Sequence, residues 1–188
     1  SFVQTNLLTY SEQFDNGVWT KSDATITANT TATTDPLGTN TADILVENSV
    51  ASVAHFVSQN LSTTSGVTYT YSVYAKAAGR NWLRIAGQAG GFSTPNHAWF
   101  DLQNGVLGTV ESGTSASIVS LGNGWYRCSW TRTANANGIV AMFISAQTAN
   151  NELVYTGTGI NSLYIWGAQL VQGSTAGDYQ ATTSAAAA

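Results

Sequence analysis

The side chains best suited to chemistry in this sequence are aromatic rings with charged neighbours. Trp82 stands two residues before Arg84, and Trp99 stands two residues before Asp101. A flat indole face can pack against the C–H face of a sugar ring, while an arginine or aspartate can hydrogen-bond hydroxyls; arginine can also hold a carboxylate or a sulfate. Arg127 follows Trp125 and offers the same pairing. The predicted ligand-binding residues are therefore Trp82, Arg84, Trp99, Asp101 and Arg127.

A purely structural role for the same side chains is the alternative. A tryptophan in an all-β protein is commonly part of the core, and an arginine beside it is commonly a stacked surface pair. Residue types and spacing leave both interpretations open.

Groups for catalysis are scarce. The chain has six basic and ten acidic residues among 188, and its two histidines, His55 and His97, show no zinc-binding spacing. Cys128 lies in the aromatic run WYRCSW, which predicts a buried, inert thiol. Glycoside hydrolysis needs two converging carboxyl groups, and Asp101 is the one acid inside a clear strand pattern. The sequence predicts a protein that is not an enzyme.

Composition narrows the partners further. A net charge of -4 and a pI near 4.8 argue against nucleic acid, which requires a basic surface. No run of 18 apolar residues is present, so no membrane-spanning helix is expected. A single cysteine excludes an internal disulfide, and the wealth of Thr, Ser, Asn and Gly is typical of virion or extracellular proteins.

Strand-like alternation dominates the elements that must position these residues. Aromatic and β-branched residues recur with period two in short segments bounded by Gly, Asn, Ser or Asp. Asn-Gly pairs at residues 16–17, 104–105, 123–124 and 137–138 suit turns that need positive φ, and the pair at 104–105 is a good hairpin signal. We predict an all-β, two-sheet antiparallel sandwich of the jelly-roll type. One domain over residues 1–180 and a disordered tail or linker over residues 181–188 complete the prediction. The clearest strands are Val67–Lys76, Trp82–Gln88, Ala98–Leu102, Trp125–Thr133, Ile139–Ala146 and Ser162–Val171, and the weaker ones are Ala24–Ala28, Ala42–Val46, Val53–Leu61 and Ala116–Leu121.

Alternation also predicts which faces are buried. Leu83, Ile85, Phe100 and Leu102 are expected in the core, which places Trp82, Arg84, Trp99 and Asp101 on the opposite, outward face. By the same rule Tyr126, Cys128 and Trp130 point inward and Arg127 points outward. For Val67–Lys76 the pattern leaves both orientations open.

Four blocks of sequence, in this order, resemble a module recurrent in bacteriophage tail, fibre and other virion proteins. They are Asn6–Lys21 (NLLTYSEQFDNGVWTK), Tyr71–Trp82 (YSVYAKAAGRNW), Gly122–Ser129 (GNGWYRCS) and Leu163–Thr175 (LYIWGAQLVQGST). The layout is distantly similar to the jelly-roll carbohydrate-binding modules associated with xylanases and cellulases. That similarity implies a concave sugar-binding face, often a structural calcium ion, and no catalytic residues.

Calcium favours oxygen ligands, and Glu12, Asp15 and Asp178 lie near the two ends of the chain, which adjoin in many sandwiches. The chain departs from the resembling modules at Trp166 and Gly167, where those modules often carry acidic residues. A structural calcium site near the chain ends is thus one expectation, with the metal ligands left unassigned.

Two functions follow as hypotheses. The first is a non-catalytic module that binds a polysaccharide or cell-surface glycan and is displayed on a phage virion or another extracellular assembly. The second is a structural or decoration protein of a virion or filament, in which the aromatic residues form subunit interfaces and no glycan binds. A homo-oligomer or other virion proteins are the expected protein partners.

Overall fold

The computed structural model describes residues 4–186, in which all regular secondary structure is β-strand. The strands are β1 Thr20–Ser22, β2 Ala24–Thr27, β3 Asp43–Glu47, β4 His55–Thr63, β5 Thr68–Ala77, β6 Trp82–Gly87, β7 Ala98–Asp101, β8 Val106–Val110, β9 Ser115–Gly122, β10 Trp125–Thr133, β11 Gly138–Gln147 and β12 Asn161–Gln172. No helix long and apolar enough to cross a bilayer occurs in this part of the chain.

The strands form two six-stranded antiparallel sheets packed face to face. The first sheet has the order β1-β4-β11-β6-β7-β8 and the second has the order β2-β3-β12-β5-β10-β9. The predicted fold class, an antiparallel β-sandwich, is confirmed. The predicted hairpin at residues 104–105 is present, with Gly105 between β7 and β8 at φ 69°. The turn at Asn123, at φ 55°, joins β9 to β10.

Period-two alternation places most of these strands correctly. Trp125–Thr133 has the predicted bounds, and the other predicted segments differ from the observed strands by one or two residues at their ends. Two observed strands, β1 and β8, are not among the ten predicted segments. β1 has only three residues, too few to show alternation, and β8 has Gly108 in its interior.

The core lies between the sheets and follows the alternation of the strands. Leu83, Ile85 and Phe100 are fully buried in it, as predicted. The open question about β5 is answered by Tyr71, which is buried in the same core, so that Tyr74 points to the outer face of the second sheet. Cys128 is buried as predicted, and burial raises the pKa of its thiol well above the ordinary value.

The two ends of the described chain are held together. The Asn6 side-chain amide, which is fully buried, donates to the carbonyl oxygens of Ala168 (3.1 Å) and Gln180 (2.8 Å). Thr182 is buried, and its hydroxyl donates to the Leu8 carbonyl at 2.8 Å. The predicted disordered tail therefore does not begin at residue 181, because hydroxyl and backbone groups there find partners that composition does not reveal. Residues 187–188 of the predicted tail lie outside the described residues.

Candidate functional site

The predicted ligand-binding residues lie on two opposite faces of the sandwich. Trp82, Arg84, Trp99 and Asp101 belong to the outer face of the first sheet, through β6 and β7. Arg127 belongs to β10, on the outer face of the second sheet. The structure therefore brings four of the five residues together and separates them from Arg127.

Arg84 lies under the segment of residues 148–160, which covers part of the outer face of the first sheet. Its side chain is only 4% exposed. Its Nε donates to Gln147 Oε1 at 2.9 Å, its Nη1 to His97 Nδ1 at 3.0 Å, and its Nη2 to the Leu153 carbonyl at 3.4 Å. Burial lowers the pKa of Arg84 to about 10, so the side chain remains charged at neutral pH. Its donors bind the protein itself, which is a structural role.

Trp99 is covered by the same segment. Its ring is 1% exposed, and its Nε1 donates to the Glu152 carbonyl at 2.8 Å. The prediction that Trp99 points away from the core is confirmed, but the expectation that its ring face is open to a sugar is wrong. Alternation shows which side of a sheet a residue occupies, and it does not show whether a distant loop covers that side.

A buried carboxylate anchors this covering segment. Glu47 accepts hydrogen bonds from Arg80 Nε (2.8 Å) and Nη2 (2.7 Å), the Tyr155 hydroxyl (2.9 Å), the Thr158 amide (2.7 Å) and the Ser162 hydroxyl (2.9 Å). Burial alone would raise the pKa of Glu47, but these hydrogen bonds, led by those from Arg80, lower it to about 2. Glu47 is thus ionised at neutral pH and joins β3 and β12 to the covering segment.

Asp101 and Trp82 occupy the end of the same face. Asp101 stabilises the turn that follows β7, because its Oδ1 accepts from the amides of Gln103 (3.0 Å) and Asn104 (3.1 Å). Trp82 is half-buried, and its ring lies against Gly108, where an added Cβ would come within 2.6 Å of it. Trp82 is the member of this group that keeps substantial exposure.

The acidic residues considered for calcium do not form a ligand cluster. Glu12 accepts a hydrogen bond from the Tyr179 hydroxyl at 2.8 Å. Within residues 4–186, no group of three or more His, Cys, Asp or Glu side chains is arranged to hold a metal ion. The described structure therefore gives Glu12, Asp15 and Asp178 no shared metal-binding geometry.

A polar groove lies on the outer face of the second sheet. Its cavity of about 370 Å³ is bounded by β9, β10 and the segment of residues 174–177. That volume is within the usual range for small-ligand sites. Outward-pointing hydroxyls of β9 and β10 line it together with the apolar residues Ala116, Val119 and Ala176. The hydroxyl-bearing residues are Ser115, Ser117, Ser129, Thr131, Ser174 and Thr175.

Arg127 is the one charged residue that lines the polar groove among the described residues. Its Nη1 donates to the Gly177 carbonyl at 2.6 Å, which ties β10 to the segment of residues 174–177. Its guanidinium carbon lies 5.3 Å from the centre of the Tyr74 ring, a cation–π contact. The groove can therefore bind polar groups, through the guanidinium of Arg127 and the surrounding hydroxyls.

An aromatic pocket adjoins the polar groove on the same face. Its cavity of about 360 Å³ is lined by Tyr74, Trp166 and Tyr179, and the exposed side chains of Leu37 and Leu121 lie at its rim. The rings of Tyr74 and Trp166 are 5.2 Å apart and those of Trp166 and Tyr179 are 4.9 Å apart. Tyr74 lines the pocket, and its ring also contacts the Arg127 guanidinium. The pocket and the groove therefore share a boundary.

Gly167 explains how three large rings fit there. It has φ 63° and lies in an irregularity of β12 between Trp166 and Gln169. A Cβ at this position would come within 2.9 Å of the Tyr74 ring, so any side chain at residue 167 would displace that ring. The Trp-Gly pair at which the chain departs from the resembling modules thus builds the aromatic pocket.

Sequence reasoning found Arg127 but missed the rest of the polar groove. The available signal was the alternation of small hydroxyl residues, Ser115 with Ser117 and Ser129 with Thr131. Single Ser and Thr residues are common on exposed strands, so the signal is weak without knowing that β9 and β10 are neighbours.

No protein-family model and no curated protein sequence matches the chain. Among solved structures the chain is similar to TmCBM61, a carbohydrate-binding module determined in complex with β-1,4-galactotriose. The two folds align with a TM-score of 0.50 and 13% sequence identity, over 89% of this chain and 99% of TmCBM61. At that identity the likeness shows the fold alone: this chain has a jelly-roll-like β-sandwich similar to that of TmCBM61.

Proposed function

We propose that this protein is a non-catalytic carbohydrate-binding module and that a glycan binds in the polar groove beside Arg127. The observation that carries the proposal is the chemistry of the groove lining, which in the described part of the chain combines hydroxyls and small apolar side chains with one guanidinium and includes no carboxyl, imidazole or thiol group. Sugar hydroxyls both donate and accept hydrogen bonds, as serine and threonine hydroxyls do. The fold shared with TmCBM61, which was solved with a bound galactotriose, supports the same function.

The aromatic pocket supplies the apolar part of such a site. Small-ligand sites combine apolar and aromatic surface with a few placed polar groups. Tyr179 is half-buried at this pocket, and the exposed Leu37 and Leu121 extend the apolar surface. A glycan longer than one residue could place polar groups in the groove and a C–H face over the pocket.

Display on a phage virion or another extracellular assembly is part of the proposal. Its support is the resemblance of the four ordered sequence blocks to virion proteins, together with a composition rich in small polar residues. Detection of the chain on purified particles by mass spectrometry would test this location.

The binding function is tested with a glycan array and isothermal titration of each glycan that binds. Ser117→Tyr places a ring in the polar groove and should weaken binding at least 10-fold, while Ser62→Tyr, on an exposed position of β4 in the other sheet, should leave it unchanged. A folded protein that binds no glycan on the array contradicts the function. Binding that is lost in Trp82→Ala and retained in Ser117→Tyr would place the site on the first sheet instead.

A structural role in a virion or filament is the second candidate function. It is favoured by apolar side chains exposed at one side of the second sheet: Leu37 is 75% exposed, Val119 58% and Leu121 46%. Such residues form the apolar centre of subunit interfaces. Light scattering tests this role, because a stable oligomer that dissociates in Val119→Ser would support it.

A further inference from the structure

The polar groove carries a positive charge, whereas the protein as a whole is negatively charged. The whole chain carries a net charge of -4 at pH 7, yet the charged residue at the groove is Arg127. In the described part of the chain no carboxylate lines the groove. Asp178 follows Gly177 at the edge of the groove and Glu12 lines the adjoining aromatic pocket, so Arg127 is the charged group that an anionic ligand would meet inside the groove itself.

The donors of Arg127 are incompletely used. Within residues 4–186 its guanidinium makes two hydrogen bonds, from Nη1 to the Gly177 carbonyl at 2.6 Å and from Nη2 to the Ser72 hydroxyl at 3.4 Å. The second bond is near the limit of hydrogen bonding. Nε is buried and has no partner among the described residues. A buried donor without an acceptor is unfavourable, so an acceptor group of a ligand that bonded Nε would gain binding free energy.

The missing acceptor has a defined geometry. Nε and Nη2 form one side of the guanidinium fork and present two parallel N–H groups to two oxygens of one oxyanion. Arg80 shows this arrangement in the same protein, where its Nε and Nη2 donate to the two carboxylate oxygens of Glu47 at 2.8 and 2.7 Å. At Arg127 the corresponding edge has only the long contact to Ser72. The Tyr74 ring contacts the guanidinium, with 5.3 Å between the guanidinium carbon and the ring centre.

We propose that the polar groove selects an acidic polysaccharide, whose uronate carboxylate or sulfate ester binds the Nε and Nη2 edge of Arg127. This inference rests on the proposed carbohydrate-binding function and assigns the class of glycan. Nε is buried, so the guanidinium must turn towards the groove and release its long Ser72 contact for the oxyanion to bond this edge. The neighbouring sugar hydroxyls then bond Ser117 and Ser129. Carboxylate and sulfate share this chemistry, since both offer paired anionic oxygens.

The test uses an array of matched acidic and neutral glycans, followed by titration of the full chain. The probes are an oligogalacturonate trimer, a sulfated galactan oligosaccharide and the neutral galactose trimer. We expect the uronate or the sulfate to bind about 10–100-fold more tightly than the neutral trimer, the range for a charge-assisted hydrogen bond. Which of the two binds identifies the anionic group.

Variants connect that preference to Arg127. Arg127→Gln should lower the affinity for the acidic glycan at least 10-fold more than the affinity for the neutral trimer, so that the acidic preference is lost. Arg127→Lys should keep salt-sensitive binding with most of the preference lost, because lysine lacks the fork. Arg132→Gln removes the same charge from a residue that contacts Ser112 and Thr114 away from the groove, and should change nothing. Thermal unfolding of each variant checks that it is folded.

The outcomes separate the two proposals. Equal binding of acidic and neutral glycans, or a preference that survives in Arg127→Gln, overturns the inference and leaves the carbohydrate-binding function standing. Folded wild-type protein that binds no glycan of either kind overturns both.

Discussion

Replacing Glu47 by glutamine removes the charge on which five hydrogen bonds converge. The carboxylate is fully buried, and its partner Arg80 is 19% exposed. Glutamine keeps the shape of the side chain, but it cannot accept from both nitrogens of the Arg80 fork. Arg80 is then left as a largely buried cation without its counterion, so the variant should be markedly less stable.

The size of the effect follows from the pKa of Glu47. The native protein lowers this pKa from 4.5 to about 2. Since each pKa unit corresponds to about 1.4 kcal/mol, the ionised carboxylate stabilises the fold by about 3 kcal/mol at pH 7. Removal of one member of a buried ion pair costs about 3–5 kcal/mol in other proteins, so the two figures agree.

The pH dependence has a definite sign. The lowered pKa means that the stabilisation is complete above about pH 4.5, where the carboxyl of the unfolded chain is also ionised, and is lost as the pH falls towards 2. The free energy of unfolding, measured in urea, should differ between wild type and Glu47→Gln by about 3 kcal/mol at pH 7. At pH 3 the difference should be about half as large.

A matched substitution controls for the loss of one negative charge. Glu12 accepts a single side-chain hydrogen bond, from the Tyr179 hydroxyl, and Glu12→Gln should cost about 1 kcal/mol or less. The reasoning is refuted if Glu47→Gln costs no more than Glu12→Gln, or if its cost is the same at pH 7 and pH 3.

Two further substitutions test other parts of the fold. Burial raises the pKa of Asp43 to about 6 against the effect of two backbone hydrogen bonds, so native stability should fall as the pH rises from about 4 to 6. Urea unfolding of Asp43→Asn should lack this part of the pH dependence, and an unchanged profile would show that Asp43 is not its source. A Cβ at Gly157 would overlap the Asn48 carbonyl oxygen, so Gly157→Ala should cost about 1–3 kcal/mol. Gly17→Ala, whose added Cβ has no atom within 4 Å, should cost under about 1 kcal/mol, and equal melting temperatures for the two variants would contradict the overlap.

The fold was predictable because strand patterning is local. In β10 the inward residues Cys128 and Trp130 alternate with Arg127 and Ser129, and the two faces of a strand can be read from such a run alone. The orientation of β5 was not predictable, since aromatic residues occupy both of its faces. Only packing against the opposite sheet distinguishes Tyr71 from Tyr74.

The candidate site was predictable only in part, because a site depends on segments far apart in the sequence. Trp99 points outward as alternation predicts, but the segment of residues 148–160 covers it, anchored through Glu47. The polar groove needs residues 174–177 beside β9, and no local pattern links them. Arg127 could be named as a candidate from the pattern of β10 alone. Ser117 becomes a candidate only when its neighbours in β10 and in residues 174–177 are known.

The hydrogen bonds of Asn6 and Thr182 hold the first and last described segments of the chain together, which affects how this fold can be fused to another protein. The Tyr10 amide donates to the Thr183 carbonyl at 2.8 Å, so the entering and leaving segments of the chain run side by side. A fold with adjacent ends tolerates circular permutation and insertion into a loop of a host protein. The leaving segment follows residues 174–177, which border the polar groove. A host fused at this point would sit beside the groove, so the length of the joining peptide would determine how large a ligand could still enter.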